Sequence, residues 1–268
     1  MEIRDPIHGY LRFNSGESAV IDSSAYQRLR NIKQLGFMEL SFPGATHTRY
    51  LHSLGVCHLA GQVFDQLFQD YPFSSGSRRQ QLRQCTRLAA LLHDVGHGPL
   101  SHTTEEVMPI LSELKVPVYQ KREFKSDESF QLRGRANHED YTIKFITDSP
   151  LTLVLKEAFP DLLPLHVACL IDKSLICPDD FFQEGDTDFR CILSQIVSSE
   201  LDVDRMDYLE RDAYFCGTSY GRVELSWLIS NLTYQLKEGI LYLALNRRAL
   251  YTFDDFLLAR HHMHLMVY

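Results

Sequence analysis

The six cysteines, Cys57, Cys85, Cys169, Cys177, Cys191 and Cys216, include no C-x-x-C pair and form no short disulfide framework. They read as small core hydrophobes of a reduced, cytoplasmic protein. An apolar leader at the amino terminus is missing, and so is any apolar run long enough to cross a bilayer. Basic charge is also in short supply: 27 Lys and Arg stand against 35 Asp and Glu, for a formal net charge of −8. That argues against a broad nucleic-acid-binding face, which needs a basic surface. It leaves room for an anionic small molecule, because a metal and a few arginines can make a positive pocket inside an acidic protein. There are no internal repeats and no low-complexity segments. What is present is ordinary globular material, 268 residues with 44% hydrophobic and 23% charged side chains.

One stretch stands out, Arg87 to His102, reading RLAALLHDVGHGPLSH. Leu88, Leu91, Leu92 and Val95 sit at helical spacing and predict a core-facing helix, roughly 78–96. From it come His93, Asp94, His97 and, past a Gly98-Pro99 stop, His102. An unpaired buried carboxylate costs several kcal/mol or neutralises itself, and a bound cation would remove that cost. Spacing alone stops there. His93 and His97, four apart, point to one side of a helix. Asp94 lies about 100° around from His93, so geometry by itself does not bring that pair to one ion.

The rest of the chain reads as mainly helical. Residues 10–13 suggest a short strand. Ser23 or Ser24 is an N-cap for a helix running through Tyr26 and Leu29 to a stop at Gly36, and 42–47 is a loop. Helices are predicted over 49–68, after a capping-box spacing at Thr103 and Glu106, from His138, from Ser149-Pro150, and over 162–173 and 189–199. In 201–217, Asp204, Tyr208 and Asp212 fall at i, i+4 and i+8 on one helical face. A helix over 223–232, a hairpin turning at Glu238-Gly239 and a final helix from Phe253 complete the pattern. The polar segment 115–137 reads as a long surface loop, a lid over the site.

Several strings now agree with one family. DPIHG at 5–9, QRLRNIKQLG at 27–36, FPGATHTRYLHSLGV at 42–56, HDVGHGPLSH at 93–102, HE at 138–139 and DVDRMDYLERD at 202–212 resemble the HD-domain metal-dependent phosphohydrolases. The resemblance is to the branch of deoxynucleoside triphosphate triphosphohydrolases, which includes animal proteins joining a sterile-alpha-motif domain to an HD domain. It implies a mainly α fold, a helical bundle with a few short strands or hairpins. It also implies a single HD-type domain over 1–268, with its helical core at about 20–220 and a closing hairpin and helix at 222–268.

Carried over residue by residue, the resemblance implies that His52, His93, Asp94 and Asp204 hold one divalent ion, of Mn, Fe, Zn, Mg, Ni or Co. His97, His102 and His138 match catalytic histidines, with Glu105 orienting them. Gln34 and Leu35 match a pair around the deoxyribose. Arg49, Arg205, Arg260 and Tyr268 match phosphate-binding and pocket-closing positions, and Tyr208 and Asp212 match readers of the sugar 3′-hydroxyl. Asp22, Gln27 and Arg30 match a regulatory site for a guanine-nucleotide activator, and the relatives are homo-oligomers. In those relatives the chain continues past the position of Tyr268; here it stops, as a shortened or a minimal form.

Plainer readings stand beside these. His97 and His102 can be ligands of a second metal, Asp212 can pair with Arg211 or Arg205, and Tyr208 can be core packing. Gln27, Arg28 and Arg30 can be a surface stripe. His261, His262 and His264 do not converge on one helix face. The expected function is hydrolysis of a nucleotide substrate, a deoxynucleoside triphosphate, to deoxynucleoside and triphosphate. The alternatives are a phosphohydrolase or phosphodiesterase acting on another nucleotide, an alarmone or a short oligonucleotide, and a non-catalytic nucleotide-binding regulator.

Overall fold

In a computed structural model of the chain, residues 1–121 and 134–268 are described, apart from the side chains of Gln120 and Lys121. The chain opens with strands β1 (Glu2–Asp5) and β2 (Gly9–Arg12), then helices α1 (Ser15–Ile21), α2 (Ser24–Gln27), α3 (Arg49–Leu67), α4 (Gly76–Leu92) and α5 (Leu111–Leu114). It continues with α6 (His138–Thr147), α7 (Pro150–Ala158), α8 (Pro164–Ile171), β3 (Gln183–Glu184), β4 (Thr187–Asp188), α9 (Arg190–Val197) and α10 (Val203–Cys216). It closes with α11 (Leu225–Ser230), β5 (Leu232–Lys237), β6 (Ile240–Leu245) and α12 (Leu250–Met266).

Helix α3 is the centre of the bundle. Leu54, Val56, Cys57, Leu59, Ala60, Val63 and Phe64 are buried on all of its sides, as expected of a helix apolar all round. It packs on α4, α9, α10 and β5. At its far end Phe64 and Phe68 pack with Phe73 and Phe189 in an aromatic cluster. Each such ring contributes about 1.5–3 kcal/mol through burial. Glu17 and Arg87 form a buried ion pair, 2.6 Å, between α1 and α4. Two small sheets edge the bundle: the β1–β2 hairpin, in register from Glu2↔Arg12 to Asp5↔Gly9, and a sheet ordered β3-β4-β6-β5. No helix among the described residues is long and apolar enough to cross a membrane.

The mainly helical architecture agrees with the sequence reading, with local corrections. Ser23 caps α2, but the helix expected to run to Gly36 becomes a 3-10 turn at Arg28–Asn31 and extended backbone at Ile32. The capping box at Thr103 and Glu106 does not form, because Ser101–Val107 is a 3-10 turn without a side-chain cap. The helix expected to reach Gly96 ends at Leu92. The carbonyl of His93, which would accept the next helical hydrogen bond, instead accepts from Thr142 Oγ1 at 2.9 Å. The carbonyls of Val95 and His97 are taken by the Arg28 guanidinium. Arg28 therefore clamps this loop and is not part of a surface stripe. Of the expected lid over 115–137, residues 122–133 lie outside the described residues. The sequence reading did not name β1, α5, the β3–β4 pair or the short α1, although Asn14 and Glu17 carry capping-box spacing for the last.

Candidate metal centre

Three segments meet beside α3. His52 comes from its second turn, His93 and Asp94 from the break after α4, and Asp204 from the first turn of α10. His93 is the C-cap of α4 and Asp94 lies in the following turn, and both side chains reach the same space. His52 Nε2 lies 3.0 Å from Asp204 Oδ1 and 3.7 Å from Asp94 Oδ2. His93 Nε2 lies 3.5 Å from Asp94 Oδ1 and 3.5 Å from Asp204 Oδ1.

The tautomers decide what this nest can hold. His52 Nδ1 faces Asp207 Oδ2 at 2.7 Å, and His93 Nδ1 faces the Ala90 carbonyl at 2.8 Å. Both partners only accept, so each Nδ1 carries its proton and each Nε2 presents a lone pair. Both Nε2 atoms are buried and without a hydrogen-bond partner. Two orphaned imidazole nitrogens beside two carboxylates are a donor set suited to a divalent ion. Burial pulls the His52 imidazole down, but the neighbouring carboxylates Asp204 and Asp207 outweigh it and raise it to about 10. Burial opposes the Asp94 charge, yet Arg49, His93 and His97 hold its carboxyl well below the usual range.

A second cluster adjoins the first. His97 stacks on His138, 3.8 Å between centroids at 15°, and His102 stands edge-on to both. Glu105 accepts from His138 Nδ1 at 2.5 Å and from His102 Nδ1 at 3.1 Å. His138 arrives on the first turn of α6, which is pinned to the loop by Thr142. The Thr142 hydroxyl donates to the His93 carbonyl and accepts from the Gly96 N–H, each at 2.9 Å. Burial pushes His97 down to about 3 despite the Asp94 charge, so the ring is neutral near pH 7. The ligand atoms of His97, His102, Glu105 and His138 lie within 4.8 Å of one another.

A cavity of about 540 Å³ opens beside His102 of the second cluster, lined also by Gln34, Leu35, Arg49, Tyr208, Asp212, His264 and Tyr268, among others. Arg49 pairs with Asp94 and with the Ser101 hydroxyl. Leu100 and Ser101 reach this wall with φ of 66° and 58°. That left-handed backbone costs about 1–3 kcal/mol per residue and tends to occur at functional sites. Asp212 pairs with neither Arg211 nor Arg205; it binds His47 Nε2 and the Tyr268 hydroxyl, each at 2.7 Å. Arg205 turns away to Asp202 and the Ser199 carbonyl. Arg260 pairs with Glu200 at 2.9 Å. Neither lines the cavity. Of the three expected regulatory residues, Arg30 bonds Gln27 at 2.7 Å and covers the Tyr50 ring, while Asp22 borders a hollow beside α1 and α7.

The sequence reading missed Asp207, His47 and Ser101. Asp207 had one faint signal, its i, i+4 spacing to Arg211 on α10. A third group, His166, Cys177 and Asp179, lies far along the chain. There His166 Nδ1 accepts the Leu163 N–H at 3.2 Å, so its Nε2 is the donor to Asp179 and offers no lone pair.

A family model described as the HD domain matches residues 49–174, the span from α3 through α8 that holds His52, His93 and Asp94. The chain carries an HD domain. This HD protein is 32% identical over 269 residues to an uncharacterized protein of Mycoplasma pneumoniae, covering 99% of the chain and 55% of the relative. It is 32% identical over 250 residues to the mouse deoxynucleoside triphosphate triphosphohydrolase SAMHD1, covering 89% of the chain and 36% of that protein. Among solved structures it matches a phosphohydrolase from Bacteroides thetaiotaomicron, with a TM-score of 0.71, 26% identity, and coverage of 100% of this chain and 54% of that one. The chain spans about half the length of the first such relatives.

Proposed function

We propose that the chain is a divalent-metal-dependent phosphohydrolase that cleaves deoxynucleoside triphosphates to deoxynucleoside and triphosphate. One observation carries this reading: the buried Nε2 atoms of His52 and His93 lie between Asp94 and Asp204, and Asp94 pairs with Arg49, which lines the neighbouring cavity. His52, His93, Asp94 and Asp204 would hold the ion. When bound, a divalent cation polarises a phosphoryl oxygen and offsets its charge.

The chain's own residues supply the rest. Arg49 brings a fixed, delocalised positive charge to the phosphate end. Gln34, Leu35, Tyr208, Asp212 and Tyr268 form the sugar end. A carboxylate anchored on both sides, as Asp212 is by His47 and Tyr268, can accept a bond from a sugar hydroxyl without reorganising. His97, kept neutral by burial, is a weak base, and it serves by holding its ring against that of His138. Glu105 fixes the tautomer of His138 and would stabilise a positive charge on it, which suits His138 to protonate the departing 5′-oxygen. Support for the triphosphate substrate comes from the likeness to SAMHD1.

A second reading, a phosphodiesterase using two metals, is favoured by the convergence of His97, His102, Glu105 and His138. The test is to incubate the protein with Mn²⁺ and each of the four deoxynucleoside triphosphates, with and without GTP, and to separate the products. Release of triphosphate supports the first reading, and a GTP requirement would show that a regulatory nucleotide site is present, with Asp22, Gln27 and Arg30 the residues to mutate next. Turnover of a diester alone, with two ions per chain, supports the second.

A further inference from the structure

We propose that Asp207 positions the metal ligand His52, and that the amino-terminal hairpin belongs to the metal centre because it holds Asp207. The proposal rests on the reading of His52, His93, Asp94 and Asp204 as metal ligands. Asp207 is fully buried and engaged on every side. Its Oδ2 accepts from His52 Nδ1 at 2.7 Å and from Arg211 Nε at 2.8 Å. Its Oδ1 accepts from Arg211 Nη2 at 2.8 Å and from His8 Nε2 at 2.6 Å. Arg211, also fully buried, turns its other edge to Asp5, at 2.8 and 3.3 Å. Asp5 Oδ1 in turn accepts the Ile7 and His8 N–H groups, each at 2.9 Å, and so shapes the turn between β1 and β2.

Helix α3 is cut to admit this network. Gly55 follows His52 by three residues, and a Cβ there would stand 1.9 Å from Asp207 Oδ1 and 2.5 Å from Arg211 Nη2. Glycine is a poor residue for a helix interior; here it makes space for the carboxylate that orients the ligand one turn earlier. A carboxylate on the far nitrogen of a metal-bound histidine fixes its tautomer and ring angle, and removing it weakens metal binding by about 10–100-fold.

The experiment is titration of the metal-free full chain with Mn²⁺, alongside the melting temperature of the same metal-free protein. Asp207→Asn keeps an acceptor for His52 but removes the charge, and binding should weaken about 10–100-fold. Gly55→Ala should shift binding in the same direction. If Asp207→Asn fails to fold, His8→Ala carries the test, because it removes one of the four bonds and leaves the buried ion pairs intact; about tenfold weaker binding is expected. Folded variants that bind Mn²⁺ as the parent does, whatever their melting temperature, would overturn the proposal and leave Asp207 a purely structural residue. His93→Ala separates the two readings: if it too binds Mn²⁺ unchanged, the ligand assignment itself has failed.

Discussion

The imidazole of His97 lies flat against that of His138, 3.8 Å between ring centroids, although the two come from a loop and a helix forty-one positions apart (138 − 97 = 41). His97 is buried and neutral, whereas His138 is anchored to Glu105. If the pair moves protons, His97→Ala should keep the metal and lower kcat by about 10²–10⁴-fold. Metal analysis of the purified variant beside its steady-state rate checks this. Loss of the metal in that variant would instead make His97 a ligand.

His93→Ala and Asp204→Ala should lose metal and phosphohydrolase activity together. Each removes a ligand outright, so affinity should fall by more than the roughly 100-fold of an outer-shell change. Metal content after dialysis, followed by an activity assay with excess Mn²⁺, reads both. Activity that survives with no metal retained would contradict the assignment.

The sugar end predicts a change in selectivity rather than in rate. Tyr268→Phe deletes the hydroxyl that holds Asp212 Oδ2 at 2.7 Å. KM for a deoxynucleoside triphosphate should rise, and Asp212→Ala should erase the preference over a 3′-deoxy analogue. A lost hydrogen bond of about 1–3 kcal/mol corresponds to roughly 5–150-fold in that ratio. An unchanged ratio would mean that Asp212 is only a structural partner of His47 and Tyr268.

Gly96 separates the two clusters. A Cβ at this position would stand 2.0 Å from the His138 carbonyl oxygen and 2.3 Å from the Thr142 nitrogen. Gly96→Ala should therefore push α6 away from the loop and destabilise the protein by about 1–3 kcal/mol, as overpacking does. Because His138 moves with α6, kcat should fall while Mn²⁺ affinity holds. Urea melts and a Mn²⁺ titration of one preparation test both parts.

Acid should weaken the metal-free fold in two stages. Burial, helped by the positive charges of His8 and Arg87, pushes His58 down to about 4 from 6.5. The unfolded chain then takes a proton near pH 6.5 that the folded chain refuses until about 4, so stability falls as pH drops through that window. Glu17 acts lower down. Burial opposes its charge, but Arg87, Gln84 and the Asn14 backbone hold its carboxyl below 4.5. Its contribution is present above the unfolded value and is lost as pH falls through the folded one. His58→Gln should make the fall in melting temperature between pH 6.5 and 4 shallower, with His97, pushed down to about 3, keeping part of it, and leave the lower stage in place.

Much of the scaffold was legible. The apolar positions of α3 and of 88–92 repeat at helical spacing, Ser149-Pro150 starts α7, and Glu238-Gly239 turns the β5–β6 hairpin. Local rules misled where a distant partner competed for the backbone. The helix after Arg87 ends four residues before Gly96 because Thr142 and Arg28 take its carbonyls. No reading of 87–102 alone contains that information. Arg205 and Asp207 show the same limit: both lie on the first turns of α10, yet one turns to its own N-cap and the other reaches under α3.

By itself, the sequence determined the inventory: imidazoles and carboxylates carried on an apolar helical framework, with the His93-Asp94 pair placed before a Gly-Pro stop. Side-chain chemistry and periodicity are local properties, so they survive in one dimension. The tertiary structure decided which nitrogen of each imidazole is free, because that depends on what its other nitrogen faces, Ala90 for His93 and Asp207 for His52. It also decided that Asp94 shares a site with His93, because His52 from α3 and Asp204 from α10 are packed against both.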